Sequence, residues 1–134
     1  MSAVVRKTAA AVLIVAASAS SVSAVGLGPL TNMGVTISER KGFYLTLVNP
    51  YPVQERFNLY GVEWETDHPI ADVRIPISKP FLGPKSQRRI LIIVTNLVPG
   101  EVRKFRVCAE RIEAPGKEVI HARVCSKLIA HRVG

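Results

Sequence analysis

Two cysteines, Cys108 and Cys125, are the residues of this chain whose type and spacing best fit a covalent role. An antiparallel hairpin with its turn centred between Gly116 and Lys117 would place them directly opposite each other. Directly opposed residues in such a pair have Cα atoms about 4.5 to 5.5 Å apart, which a disulfide tolerates. The spacing therefore predicts a Cys108–Cys125 disulfide. Since no Cys-x-x-Cys motif is present, a pair of reactive thiols is the weaker alternative.

Other chemical roles have little support in the sequence. The histidines lie far apart along the chain, at His68, His121 and His131. On one face of a strand, His121 and Cys125 would stand about 13 Å apart, which is too far for one metal ion. Glu63 and Glu65 are predicted to occupy alternate positions of a strand and not to form a catalytic pair, and no nucleophile elbow is present. We therefore predict no catalytic residues, no metal site and no cofactor, and expect that the protein is not an enzyme.

The register that opposes the two cysteines also divides the hairpin into two faces. One face takes Phe105, Val107 and Ala109 with Leu128, Ser126 and Val124, and the other takes Lys104, Arg106 and Glu110 with His121, Arg123 and Lys127. On the second face Glu110 opposes Arg123 as an ordinary ion pair, whereas Arg106 opposes Lys127. Two like charges directly opposed are unfavourable, so either the side chains splay into water or an anion binds near Lys127.

Short apolar runs separated by turn residues predict that this hairpin belongs to an all-β sandwich of short strands. Seven strands are predicted, at 33–39, 43–49, 56–64, 72–78, 88–96, 102–112 and 119–133. Pro76 lacks an amide donor, so its strand is expected at a sheet edge, whereas 90–94 are apolar on both faces and predict a central strand. Trp64 is expected in the core, with a bulge at Gly61 turning it inward.

The first 24 residues have the layout of a secretory signal peptide, with a basic start at Arg6 and Lys7, an apolar run and then small residues. Cleavage after Ala24 would leave residues 25–134 as one domain in the periplasm, large enough to fold alone. The alternative is an uncleaved anchor in the inner membrane. The apolar stretch, however, is shorter than the roughly 20 residues that a bilayer requires. Export also agrees with the predicted disulfide.

The basic charge of the chain indicates the kind of partner. The formal net charge is +8, and loss of the signal peptide would leave about +6, which favours an anionic partner or surface. Export and the single Trp argue against nucleic acid, because single-strand binders stack bases on several aromatic side chains. Acidic protein termini, anionic lipids and envelope polysaccharides are the better candidates.

Three motifs resemble the N-terminal immunoglobulin-like domain of periplasmic pilus chaperones, the chaperone–usher type. The stretch Val35-Thr-Ile-Ser-Glu-Arg40 followed by Leu45-Thr-Leu-Val-Asn49-Pro50 is similar to the opening strands of that domain. The segment Phe81-Leu-Gly-Pro-Lys-Ser-Gln-Arg-Arg89 is similar to the one before a later strand, and Lys127-Leu-Ile-Ala-His-Arg132 looks like the end of the domain. The resemblance covers nearly the whole mature chain and implies a seven-stranded immunoglobulin-like β-sandwich.

In that family an Arg and a Lys bind the terminal carboxylate of an unfinished pilus subunit, and the last strand pairs with the subunit's incomplete sheet. The resemblance therefore implies Arg40 and Lys127 as carboxylate anchors, and Arg106 and Arg123 would add a supporting basic face. It implies a periplasmic chaperone-like protein that holds a secreted or pilus subunit during fimbrial biogenesis. The alternative is a non-catalytic structural or interaction domain of a cell-envelope assembly, because fold alone does not choose between them.

Overall fold

A computed structural model describes residues 25–112 and 122–134, and within these ranges the chain forms two β-sheets and no helix. The two sheets pack as a β-sandwich, which confirms the predicted fold class. The predicted signal peptide at 1–24 and the hairpin turn at 116–117 lie outside the described residues. In the described ranges, no helix has the length and apolar character needed to cross a membrane.

The described residues contain nine strands rather than seven. They are β1 (Gly26–Gly28), β2 (Thr31–Thr36), β3 (Lys41–Val48), β4 (Glu55–Glu63), β5 (Val73–Arg74), β6 (Phe81–Leu82), β7 (Gln87–Val94), β8 (Val102–Arg111) and β9 (Arg123–Arg132). Each predicted strand has a counterpart, although the one expected at 72–78 is reduced to the two residues of β5. β1 and β6 are additional short strands, too brief to produce an apolar alternation in the sequence.

The order of the strands places the closing hairpin next to an edge strand. One sheet has the order β1-β3-β7-β5, and the other has the order β2-β9-β8-β4-β6. β7 lies between two strands and β5 lies at an edge, which confirms the central position of 90–94 and the edge position predicted from Pro76. In the second sheet β2 pairs in parallel with β9, while β9 with β8 and β8 with β4 pair antiparallel.

Alternate positions of both sheets fill the core with large apolar side chains. Those most deeply buried are Phe57, Leu59, Phe105, Val107 and Leu128 in one sheet and Leu45, Leu47, Ile90, Ile92 and Val94 in the other. Phe43 and Phe105 join the sheets by an edge-to-face contact, with ring centroids 6.2 Å apart. Because Ser126 and Leu128 are also buried here, this face of β9 belongs to the chain's own core.

A buried asparagine joins the loops at one end of the sandwich. Nδ2 of Asn49 donates to the backbone carbonyls of Val53, Leu82 and Gly83 at 3.0, 3.1 and 2.8 Å, and its Oδ1 accepts from the N–H of Tyr51 at 2.9 Å. Buried polar groups are stable only when such partners exist. Asn49, which precedes the proline that ends the stretch Leu45–Pro50, therefore has a structural role, which is to hold the loop at 49–53 against the segment at 82–83.

Candidate functional site

The closing hairpin, β8 with β9, has the register that the cysteines predict. Cys108 lies directly opposite Cys125, and the two form a disulfide with Cα atoms 4.0 Å apart. Arg106 consequently lies opposite Lys127. The predicted disulfide is confirmed. Since the bond lies within the ladder of β8 and β9, it also fixes the positions from which the basic side chains of the outer face project.

Two arginines of this outer face converge on a carboxylate from outside the hairpin. Asp67, in the loop after β4, accepts hydrogen bonds at Oδ1 from Nη2 of Arg106 at 3.1 Å and from Nη2 of Arg123 at 2.7 Å. Arg106 also donates from Nε to the carbonyl of Glu63 at 3.0 Å and from Nη2 to the carbonyl of Thr66 at 2.6 Å. The chain itself thus supplies one anion to the crowded positive charges of this face.

This contact changes the protonation equilibria of both partners. The hydrogen bond from Arg123, followed by the one from Arg106, holds the pKa of the Asp67 carboxyl below its ordinary value of 3.8. The hydrogen bond to Asp67, followed by the one to the Tyr60 hydroxyl 3.3 Å from Nη1, raises the pKa of the Arg123 guanidinium. In the described ranges the carboxylate that pairs with Arg123 is that of Asp67, not the cross-strand Glu110. The predicted Glu110–Arg123 ion pair is therefore wrong.

The loop reaches the hairpin because residues 64–70 fold back along β4. The N–H of Glu63 donates to the carbonyl of His68, and Val62 pairs with Pro69 in an isolated bridge. Val62 is buried although its register places it with Arg106 on the outer face. In the sequence, Asp67-His68-Pro69 is recognisable only as a turn. No spacing rule connects this aspartate to arginines that lie 39 and 56 residues away.

Trp64 also lies on this basic face and is only half-buried, so its predicted place in the core is wrong. Nζ of Lys127 and Nζ of Lys104 lie 5.1 and 5.7 Å from the centre of its ring. The pairing of β4 with β8 continues through Gly61 without the bulge that would turn Trp64 inward. Within the described ranges, neither lysine forms an ion pair with a carboxylate. Two ammonium groups on one indole thus present positive charge to solvent.

Arg40 and Lys127, the implied anchors, lie at opposite ends of β2. The parallel pairing sets Lys127 beside Thr31, the first residue of β2, whereas Arg40 follows the other end, where Thr36 pairs with Arg132. These two pairs are five residues apart, or about 16 Å along the strand. A carboxylate binds groups within about 3 Å of its oxygens. The structure therefore does not bring the two side chains together around one carboxylate, because the first strand ends before Arg40.

β2 forms an open sheet edge, which the sequence reasoning does not identify. In residues 25–112 and 122–134, no strand pairs with its outer side. The N–H of Lys127 donates to the carbonyl of Leu30, and the N–H of Val133 donates to the carbonyl of Thr36. Because alternate residues of a parallel strand bond to the same neighbour, the even-numbered residues of β2 bond to β9. The odd-numbered residues direct their backbone groups to the open side.

The same odd-numbered residues carry exposed apolar side chains. Met33 is 64% exposed and Val35 is 53% exposed, and Ile37, just beyond the strand, is 83% exposed. Natural edge strands usually carry charges or prolines that prevent pairing with another chain, but Thr31–Thr36 contains neither. The alternation of Met33, Val35 and Ile37 with small or polar residues is the signal by which the sequence could have indicated this edge.

Solved structures of pilus chaperones share this fold. The chaperone DraB of E. coli matches with a TM-score of 0.65 at 18% identity, covering 81% of this chain and 55% of that one. The SafB chaperone of Salmonella enterica, solved in complex with the SafA pilin, matches with a TM-score of 0.65 at 19% identity, covering 85% and 57%. The chain thus spans little more than half the length of these chaperones.

The fold also occurs in other proteins. A PapD-like domain of human CEP192 matches with a TM-score of 0.65 at 10% identity, covering 96% of this chain and 98% of that domain. No protein-family model and no curated protein matches the chain. At these identities the likeness concerns the fold alone. The predicted resemblance is confirmed at that level: this chain has the immunoglobulin-like fold of the N-terminal domain of chaperone–usher pilus chaperones.

Proposed function

We propose that this protein is a periplasmic, chaperone-like binding protein that holds a secreted or pilus-type subunit by edge-strand pairing along β2. The observation that carries the proposal is the open edge of β2, with its exposed Met33 and Val35. An added strand gains affinity from main-chain hydrogen bonds and specificity from alternate side chains, and this edge offers both. The pilus-chaperone fold and the disulfide, which is typical of oxidising compartments, agree with it.

Lys127 is the proposed anchor for an anionic terminus, and its position sets the direction of the bound segment. It lies beside Thr31, where β2 begins. A segment that runs antiparallel to β2 would end near Thr31, so its terminal carboxylate would meet Lys127, with Lys104 close by on the same indole. A parallel segment would end near Arg40 instead. Loss of binding on removal of Lys127 but not of Arg40 therefore indicates the antiparallel direction.

Backbone pairing is tested by substituting Val35. Proline at an edge position whose N–H faces outward removes a donor to an added strand but leaves the chain's own ladder intact. We expect Val35→Pro to reduce recovery of a co-purifying subunit from the native periplasm about tenfold, the effect of losing roughly 1.4 kcal/mol. Val35→Thr keeps the N–H and is the matched control. Circular dichroism and thermal unfolding verify that both variants fold.

The anchor is tested by Lys127→Ala beside Lys79→Ala, which changes an exposed lysine in a segment that bonds to β4 and not to the hairpin. Lys127→Ala should lower recovery of the subunit, and Lys79→Ala should not. If the folded Val35→Pro and Lys127→Ala variants both retain the partner in full, the proposal is wrong.

The alternative is a non-catalytic interaction domain of a cell-envelope assembly. It is favoured by the likeness to the CEP192 domain, which covers nearly all of both chains and shows this fold outside pilus chaperones. The partner would then be a stable complex bound without edge-strand pairing. Recovery of such a complex, at equal yield from wild type, Val35→Pro and Lys127→Ala, would establish the alternative.

A further inference from the structure

Arg106 and Arg123 are held so that their guanidinium groups meet at one point. Each lies two residues before a cysteine of the Cys108–Cys125 pair, so the disulfide fixes their diagonal arrangement. Both direct Nη2 at the same oxygen of Asp67. Their side chains are only 16% and 34% exposed. Two partly buried guanidinium groups converging on one oxygen are well suited to bind a carboxylate.

Asp67 occupies this point by a contact that is easily replaced. Its side chain is 61% exposed, and it belongs to a run of exposed residues at 65–69. Ion pairs exposed to this extent contribute little to stability. Arg106 would keep its bonds to the carbonyls of Glu63 and Thr66 if only the carboxylate of Asp67 turned away. The arginines would then remain in place with their Nη2 groups directed at an incoming anion.

We propose that Arg106 and Arg123 form a binding site for a carboxylate of a protein partner, and that Asp67 fills this site until the partner displaces it. The inference deepens the proposed function and rests on it for the nature of the partner. The site lies next to Lys127, which opposes Arg106 across the hairpin. A partner held on β2 could therefore place one carboxylate at Lys127 and a second between the arginines.

The test is a titration of the purified protein, followed by the NMR signals of the two arginine Nε–H groups. Two probes distinguish the source of the carboxylate: acetylated tetraglutamate with an amidated C-terminus, and acetylated tetraglutamine with its C-terminal carboxylate. Fully capped tetraglutamine is the blank. We expect Asp67→Asn to raise the affinity for one of the two carboxylate probes roughly threefold, as removal of a weak exposed competitor should. The probe whose affinity rises shows whether the site binds a side-chain carboxylate or a terminal one.

Two controls separate this effect from a change in overall charge. Glu65→Gln removes one negative charge from the same loop, and within the described ranges Glu65 forms no ion pair. It should leave the affinity unchanged. Adding Arg106→Gln and Arg123→Gln to Asp67→Asn should abolish the gain. The inference is overturned if Asp67→Asn binds no better than wild type, if Glu65→Gln gains equally, or if the gain survives loss of both arginines.

No subunit enters the titration, so its result is independent of whether β2 captures a partner strand. A gain that depends on the arginines, together with unaltered capture by Val35→Pro, would support the carboxylate site and contradict edge-strand pairing. If Asp67→Asn gives no gain that depends on the arginines and Val35→Pro reduces capture, the carboxylate site is contradicted and the proposed function is supported.

Discussion

Lys127 lies beside Thr31 in the parallel ladder between β9 and β2, so a cation stands where the open edge begins. This relationship joins two features that are far apart in the sequence, an uncharged strand near the start of the domain and a basic hairpin at its end. The disulfide holds Lys127 in its register, and the parallel pairing of β2 with β9 then sets its distance from each position of the edge.

The open edge of β2 should be visible in amide hydrogen exchange. The ladder predicts slow exchange at Gly34 and Thr36, whose N–H groups face β9, and fast exchange at Thr31 and Val35, whose N–H groups face outward. The N–H of Met33 should be intermediate, because Oδ1 of Asn32 accepts from it at 2.9 Å. Exchange measured by NMR on the isolated protein tests this pattern. Equal protection at Val35 and Gly34 would mean that another segment covers the edge.

Removal of the disulfide should cost a large part of the protein's stability. The bond joins residues 17 apart, and closing a loop of this length stabilises a domain by about 3 kcal/mol in the chain-entropy model. We expect the free energy of unfolding of Cys108→Ala/Cys125→Ala, measured with urea, to fall by about that amount. Reduction of the wild-type protein should give a similar loss. A change well below 1 kcal/mol would show that hairpin pairing and the core already fix the register.

The position of Trp64 on the outer face predicts that its removal costs less stability than removal of a core aromatic. A buried aromatic such as Phe57 should lose about 3 to 5 kcal/mol on substitution by Ala. Trp64→Ala removes partial apolar burial outside the core together with cation–π contacts with Lys104 and Lys127, each contact worth about 0.5 to 1 kcal/mol at exposed sites. Urea unfolding of Trp64→Ala and Phe57→Ala, followed by circular dichroism, compares the two. Equal losses in the free energy of unfolding would mean that Trp64 is packed as a core aromatic.

The parts of the structure that the sequence predicts are those set by local alternation and covalent chemistry. The strand cores and the hairpin register follow from period-two patterns and from the position of Cys108 relative to Cys125. The parts that it misses depend on contacts between distant segments. The approach of Asp67 to Arg123 depends on the path of a loop, and the open edge of β2 depends on sheet order. The approach of Asp67 leaves no periodic trace in the chain, and the alternation of Met33 and Val35 predicts a strand without showing that it lies at an edge.

Asn49 should be among the polar residues most sensitive to substitution. Asn49→Ala leaves the carbonyls of Leu82 and Gly83 without the donor they have now. A buried group without a partner costs about 1 to 3 kcal/mol, so a loss of about 3 kcal/mol in the free energy of unfolding is expected for the whole set of bonds. Asn58, half-buried on β4 and without a side-chain hydrogen bond among the described residues, is the matched control. Asn58→Ala should change stability by less than about 0.5 kcal/mol.

The Asp67 contact should make stability depend on pH in the acid range. The folded-state pKa of Asp67 lies below the ordinary value of 3.8, chiefly because of the hydrogen bond from Arg123 and then that from Arg106. A carboxyl with a depressed pKa contributes stability that is present above its unfolded-state pKa. That contribution is lost as the pH falls through the folded-state value. The difference in free energy of unfolding between wild type and Asp67→Asn should thus be constant near neutral pH and shrink below about pH 3.8.

The same contact can be followed at the carboxyl group itself. Arg123→Gln removes the larger of the two causes, so the pKa of Asp67 in an NMR titration of its side-chain carbon should move upward towards 3.8. Arg106→Gln should produce a smaller upward shift, because its hydrogen bond is the second cause. Arg88, exposed on β7 in the other sheet, supplies the matched control Arg88→Gln, which should leave the titration unchanged. A carboxyl that titrates alike in wild type and Arg123→Gln would mean that the two groups do not meet in solution, and the site that Asp67 is proposed to fill would then stand open.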